Sequence, residues 1–147
     1  MRKAILHFIS AFTLVIGLVA CAGSATTPSA IADPLANTQW QLDSIDYMDD
    51  TTVKPDDGTK YTLEFDATGM VSMQVDCNRL RGAYKFDQPS GLEFGELMST
   101  RAACPPESLY NRVSNDMSYV RSFVIKDGRL HLALMADGGI YNYSPMP

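Results

Sequence analysis

Cys77 stands in "VDCNRLRGAY" (residues 75–84), beside an acid, an amide and two arginines. A thiol in that company is a nucleophile, a metal ligand or half of a disulfide. A nucleophilic thiol needs a base to make thiolate, and beyond residue 20 the one histidine is His131, in "RLHLALM". If Leu130 and Leu132 face a core, His131 faces solvent on the other side of the strand, which disfavours a catalytic pair with Cys77 or Cys104. Zinc takes four ligands, commonly from paired C-x-x-C or H-x-x-x-H elements, and two isolated cysteines with one histidine do not supply them. The pairs Asp49-Asp50 and Asp56-Asp57 lack the alternating ligands of a calcium loop and read as solvated acids. Glu93 and Glu96 in "EFGE" are three apart, hence on opposite faces of a strand and badly placed to share one hydrolytic site. The expectation is therefore a protein without a catalytic set or a metal.

The fate of the cysteines depends on compartment. Met1-Arg2-Lys3 precedes an apolar run from Ala4 to Val19, broken by His7, Ser10, Thr13 and Gly17, that ends in "LVAC". The run is shorter than the roughly 20 apolar residues of a membrane span and reads as a secretory signal, residues 1–20. Leu18-Val19-Ala20-Cys21 resembles the bacterial lipobox, in which the cysteine receives a diacylglyceryl group and becomes the first residue after cleavage. Residues 21–36, rich in Ala, Ser, Thr and Pro, read as a tether, and residues 37–147 as one folded domain. Acyl chains at about 0.8 kcal/mol per buried methylene would hold Cys21 on a membrane. Ala22 stands where lipoproteins kept at the inner membrane usually carry Asp, so the outer membrane of a Gram-negative cell is expected.

Cleavage would remove Arg2 and Lys3, leaving 10 basic against 17 acidic residues, a charge of -7. Such a surface repels phosphate backbones, so nucleic acid is not an expected partner. With Cys21 acylated in an oxidising compartment, two thiols remain, and pairing of Cys77 with Cys104 is the expected outcome. The bond would close a 28-residue loop, worth about 3.5 kcal/mol on chain entropy at most. The alternative is two buried free thiols.

From residue 38 onward, period-two alternation dominates. Trp40 and Leu42, then Tyr61, Leu63 and Phe65, then Val71, Met73 and Val75 mark strands, with "DATG" as a hairpin turn between the last two sets. Tyr84 and Phe86, then Leu92 and Phe94, continue the pattern. "RSFVIKDGRLHLALM" reads as a hairpin turning at Asp127-Gly128, and "GIYNYS" as a last strand. In "CPPESLYNRVSNDMSYV", Leu109, Val113, Met117 and Val120 fall on one helix face, with Pro105 and Pro106 at its start and Glu107 at the positive end of its dipole. "YMDDTTVKPDDGTK" is too polar for a strand and reads as an exposed loop. The fold class expected is mainly β (α+β): a small antiparallel, barrel-like sheet of about eight strands with one α-helix.

Candidate binding residues follow from this arrangement. If a staple joins residues 77 and 104, Arg79, Arg81 and Arg101 gather as an anion or carboxylate site, or are neutralised by Asp76, Asp87, Glu93 or Glu96. Asn78 is a further candidate, though such an Asn more often satisfies a turn's backbone. Tyr141 and Tyr143 share a face of the last strand and with Trp40 could line a groove or pack a core; Tyr84 is a further aromatic candidate.

The order "NTQWQLDSI", "YTLEFDATGMVSMQVDCNRLRGAY", "LEFGELMSTRAACPPE", helix and "LHLALM" resembles the META domain, or HslJ-like, family over roughly residues 37–144. Trp40, Leu42, Phe65, Cys77, Asn78, Gly82, Tyr84, Thr100, Arg101, Cys104, Leu130 and Leu132 match its motifs, while Asp76 stands where the family usually has Gly. The resemblance implies a small antiparallel barrel-like fold with one helix in an exported or lipid-anchored protein, no recognised catalytic residues or cofactor, and a stress-response association. The functional expectation is a lipid-anchored, non-catalytic module of the cell envelope that engages a protein or lipid partner. The alternatives are an inhibitor of a hydrolase presenting "RLRG" or the 48–60 loop, and a pilot or chaperone-like lipoprotein of a secretion system.

Overall fold

The structure, a computed structural model, describes residues 32–146. The signal, Cys21 and most of the expected tether lie outside the described residues. Ten strands are present: β1 (Thr38–Asp46), β2 (Thr52–Val53), β3 (Tyr61–Phe65), β4 (Met70–Val75), β5 (Asn78–Asp87), β6 (Gly91–Phe94), β7 (Met98–Ser99), β8 (Val120–Lys126), β9 (Arg129–Leu134) and β10 (Ile140–Pro145), with one helix, α1 (Tyr110–Asp116). Eight of them follow the order β1-β3-β4-β5-β6-β8-β9-β10, and β10 pairs back onto β1, so the antiparallel sheet closes into a barrel. Closure pairs the two terminal strands of the sheet, while the seam between β6 and β8 rests on the single pair Gly91 and Ser122. The short β2 and β7 flank β1 and β5.

Alternation sends one face of each strand inward, and the buried set includes Leu63, Phe65, Val71, Leu92, Leu130 and Leu132. In β1 the inward phase changes: Trp40 and Leu42 are buried, and the next buried residue is Ile45. A register shift between Leu42 and Ser44 in the pairing with β10 absorbs the extra residue. Such a bulge bends a strand and helps a small barrel turn its corner.

The tight turns carry positive-φ residues where the sequence put turn signals. Asp127 (φ 51°) and Gly128 (φ 73°) join β8 to β9, and Gly69 (φ 81°) lies in the β3–β4 turn. There the Asp66 carboxylate accepts from the Thr68 and Met70 amides at 2.7 and 3.0 Å.

Three boundaries differ from the sequence reading. The domain begins earlier than residue 37: Leu35 is fully buried, and Asp33 accepts from the Leu35 amide and the Tyr84 hydroxyl at 2.8 and 2.6 Å. The stretch 47–60 is not wholly loop, since it holds β2 and a 3-10 turn at Gly58–Lys60. Backbone pairing with Ile45 and Asp46 offsets the polar composition of β2. The helix is shorter than its apolar spacing suggested. It tightens into a 3-10 turn at Met117–Tyr119 and Val120 already begins β8, where the β-branched and aromatic run "VRSFVI" pairs with β9. Val113, Met117 and Val120 are buried all the same. Pro105, Pro106 and Glu107 precede α1 without belonging to its first turn.

Candidate functional site

Cys77 and Cys104 form a disulfide with their Cα atoms 5.5 Å apart, so Cys77 is no free nucleophile. Asn78, beside it, is fully buried and spent internally. Its carbonyl oxygen accepts from the Ala102 amide at 2.8 Å and the Thr100 hydroxyl at 2.9 Å, and its amide nitrogen donates to the Ala102 carbonyl at 3.1 Å. Asn78 is therefore removed from the binding candidates: it satisfies the backbone of a distant segment, with no capacity left for a ligand. Thr100 completes the lock, its hydroxyl accepting from the Arg79 amide at 3.0 Å.

Asp76 occupies the first position of the β4–β5 turn with φ 53°, the left-handed region that Gly enters freely and Asp tolerates. Its carboxylate lies 3.8 Å from Lys60 Nζ. The departure from the family's usual Gly thus keeps the turn. Gly82 answers to a close approach instead, since a Cβ there would sit 2.5 Å from the Glu96 carbonyl oxygen.

Arg79 and Arg81 alternate with buried Leu80 and Gly82 and point outward from β5. With Thr62, Glu64, Ser72, Met73, Gln74 and Leu80 they line a shallow groove on the outer face of β3–β5, and Arg79 Nε donates to Gln74 Oε1 at 2.9 Å. Among the described residues, neither they nor Arg101 form an ion pair; the two that exist are Lys60–Asp76 and Arg129–Asp43. The expected neutralisation by Asp76, Asp87, Glu93 or Glu96 is corrected accordingly. His131 faces outward, its Nδ1 2.7 Å from Asn142 Oδ1.

The aromatic candidates are core residues. Trp40, Tyr84, Tyr141 and Tyr143 are all buried, because the barrel's inward phase captures their rings, so the groove they were to line does not exist. Trp40 donates to the Thr38 hydroxyl at 2.8 Å. Tyr84 donates to Asp33, and burial followed by that carboxylate holds its pKa above the usual phenol value. The Tyr141 hydroxyl donates to Asp116 Oδ2 at 2.7 Å, and burial, with the carboxylate second, pushes its pKa far up. Tyr47 reaches the same oxygen at 3.0 Å, and the Arg112 guanidinium lies 5.2 Å above the Tyr47 ring.

This Tyr-Asp-Tyr junction underlies a surface that sequence reasoning missed. Tyr47, Met48, Val53, Arg112 and Asp137 line one shallow depression, and Tyr119, Leu134, Met135 and Ala136 line another, with Gly138 on both. Met48 is 67% exposed, Tyr119 51% and Met135 44%. The loops that present them are conformationally costly: Asp50 (φ 64°), Ala136 (φ 53°) and Asp137 (φ 54°) all occupy the left-handed region, which tends to mark binding segments. "YMDD" and "MADGG" announce turns, but nothing in either predicts that the depressions lined by Met48 and by Met135 adjoin at Gly138.

The surface lies at one end of the barrel. Met48 lies two residues beyond the end of β1, Met135–Gly138 follow β9 and lead toward β10, and Tyr119 precedes β8, while Asp33, Leu35 and Tyr84 sit at the other end, where Thr38 pairs with Phe65.

Closed eight-stranded topology, one short helix and a staple between the β4–β5 turn and the segment before the helix define a small disulfide-locked β-barrel domain. The family model of the META domain matches residues 33–143, and the chain belongs to the META domain family. An NMR structure of a protein from Burkholderia xenovorans is similar at 22% identity and a TM-score of 0.66, over 83% of this chain and 96% of that one. A DUF4847 family protein from Bacteroides vulgatus is similar at 14% identity and a TM-score of 0.54, over 76% and 94%. These likenesses concern the fold. No curated protein matches the chain.

Proposed function

We propose that this META domain protein is a non-catalytic binding module of the cell envelope, anchored through an acylated Cys21 and engaging a partner through the exposed apolar end of its barrel. The lipobox-like "LVAC", the basic start and the Ala/Ser/Thr-rich stretch that follows motivate the anchor. The observation that carries the binding role is the exposure of Met48, Tyr119 and Met135 on two adjoining depressions that share Gly138, with Asp50, Ala136 and Asp137 of the bordering loops in left-handed backbone. The second depression, with Tyr119, Leu134, Met135 and Ala136, is mainly apolar in its lining, a character associated with interaction surfaces, and methionine adapts to irregular partners. The conspicuous side chains elsewhere, Cys77, Cys104, Asn78 and Tyr141, are engaged in holding the fold together.

A photo-crosslinking residue placed at Met135 in the full chain, expressed in its own envelope, tests this reading. Adducts to an envelope protein or lipid are expected from Met135 and not from a crosslinker at Lys85, on the outer face of β5. Failure to form any adduct at Met135 would remove the main support.

A further inference from the structure

Resting on that reading, the surface around Met48 and Met135 also carries information on what it binds: we propose that its occupant is a basic, amphipathic polypeptide segment of a partner protein. The centre is apolar and soft, made by Met48, Tyr119 and Met135. The surrounding carboxylates outnumber the cations. Asp49 and Asp137 line the first depression beside Arg112, the half-buried Asp116 lines the second, and the exposed Asp46 and Asp50 flank Tyr47–Asp49 in the chain, against the two cations Arg112 and Arg121. Arg112 is drawn over the Tyr47 ring. Arg121 is folded onto the Ser118 and Val120 carbonyls at 2.9 and 2.7 Å, and its second terminal nitrogen lies 3.6 Å from Met135 Sδ, at the edge of the surface. An apolar face flanked by Lys or Arg would therefore meet complementary charge, whereas an acidic segment would meet repulsion.

The same charge pattern selects against the other occupants. In a two-fold dimer through this face, each acidic rim would oppose its own copy. An anionic membrane surface would be repelled by the rim. The described chain begins at the opposite end of the barrel, at Asp33 and Leu35, so the surface points away from the side on which a tether joins the domain. The two tyrosine hydroxyls on Asp116 fix the floor beneath it, so a segment docks on a preformed seat and little ordering cost falls on the barrel.

The test uses the purified full chain with two synthetic probes, a short amphipathic peptide of Leu and Lys and its Leu and Glu counterpart, read by amide chemical-shift changes and titration. Saturable binding of the Lys peptide is expected, with a footprint on residues 47–50, 119 and 134–138, and at least tenfold weaker binding of the Glu peptide. Met48→Gln combined with Met135→Gln, which removes apolar surface without changing charge, should weaken the Lys peptide at least tenfold. Val124→Asp, at an exposed apolar residue on β8 away from the surface, should leave it unchanged. Unfolding midpoints of both variants within a few degrees of the parent keep the comparison fair. Equal binding of both peptides, a footprint elsewhere, or unchanged affinity in the double variant would overturn the proposal. So would a footprint produced only by phosphatidylglycerol vesicles or by self-association. If crosslinks form at Met135 while no Lys peptide binds, the general binding role stands and the partner chemistry proposed here falls.

Discussion

The Asn78 carboxamide and the Ala102 peptide group pair in both directions, the side-chain oxygen accepting from the amide at 2.8 Å and the side-chain nitrogen donating to the carbonyl at 3.1 Å. A single side chain thus imitates a strand neighbour, tying β5 to a segment that has no ladder of its own. Because Asn78 is fully buried, Asn78→Ala would leave the Ala102 amide and carbonyl, and the Thr100 hydroxyl, without their partner. A loss of about 2–4 kcal/mol is expected, measured by urea unfolding of the oxidised protein. Asn78→Asp removes the donor and introduces a buried charge, so it should be no milder.

The left-handed turn at Asp76 and the tight crossing at Gly82 make opposite predictions for glycine and alanine. Asp76→Gly frees a backbone already at φ 53° and gives up one 3.8 Å contact with the exposed Lys60 ammonium, so stability should stay within about 1 kcal/mol of the parent. Asp76→Val should cost more, since a β-branched side chain resists that region. Gly82→Ala drives a methyl group to 2.5 Å from the Glu96 carbonyl oxygen and should cost about 1–3 kcal/mol. Thermal melts of the three variants decide between these values.

Alkaline pH should unfold the barrel through its buried phenols. Burial, then Asp116, raises the Tyr141 pKa, and burial alone raises that of Tyr143. A group whose folded pKa lies above its unfolded value stabilises the fold fully below the unfolded pKa, about 10 for tyrosine, and loses that contribution as pH climbs from there through the folded value. Stability should therefore be flat in this respect at neutral pH and fall above pH about 10. Tyr141→Phe should fall less steeply, checked by urea midpoints between pH 8 and 11.

Much of the fold was legible because its signals are local. Alternation at Tyr61, Leu63 and Phe65 and the turn at Asp127-Gly128 each read out in a few residues. The closure of β10 onto β1 and the bulge near Leu42 are set by long-range packing, which no short window contains. The staple was also legible, from compartment and cysteine count. The roles of Trp40, Tyr141 and Tyr143 were not, because an aromatic on an alternating strand suits a core and a groove equally. Nor was the surface at Met48, Tyr119 and Met135, whose residues lie in three separate stretches and come to one end of the barrel only when its strands are paired. Helix spacing misled at Val120, where the apolar period continues smoothly from a helix into a strand.

The claim on which the account turns is a domain with its only folded thiols locked together and its first mature residue carrying lipid. Intact mass of the protein isolated from its own envelope, alkylated before and after reduction, tests both halves at once. The expected result is a chain starting at Cys21 with added acyl mass, no alkylation before reduction and two alkylations after it. Alkylation of Cys77 or Cys104 without reductant, or a chain retaining residues 1–20 with an unmodified Cys21, would contradict it.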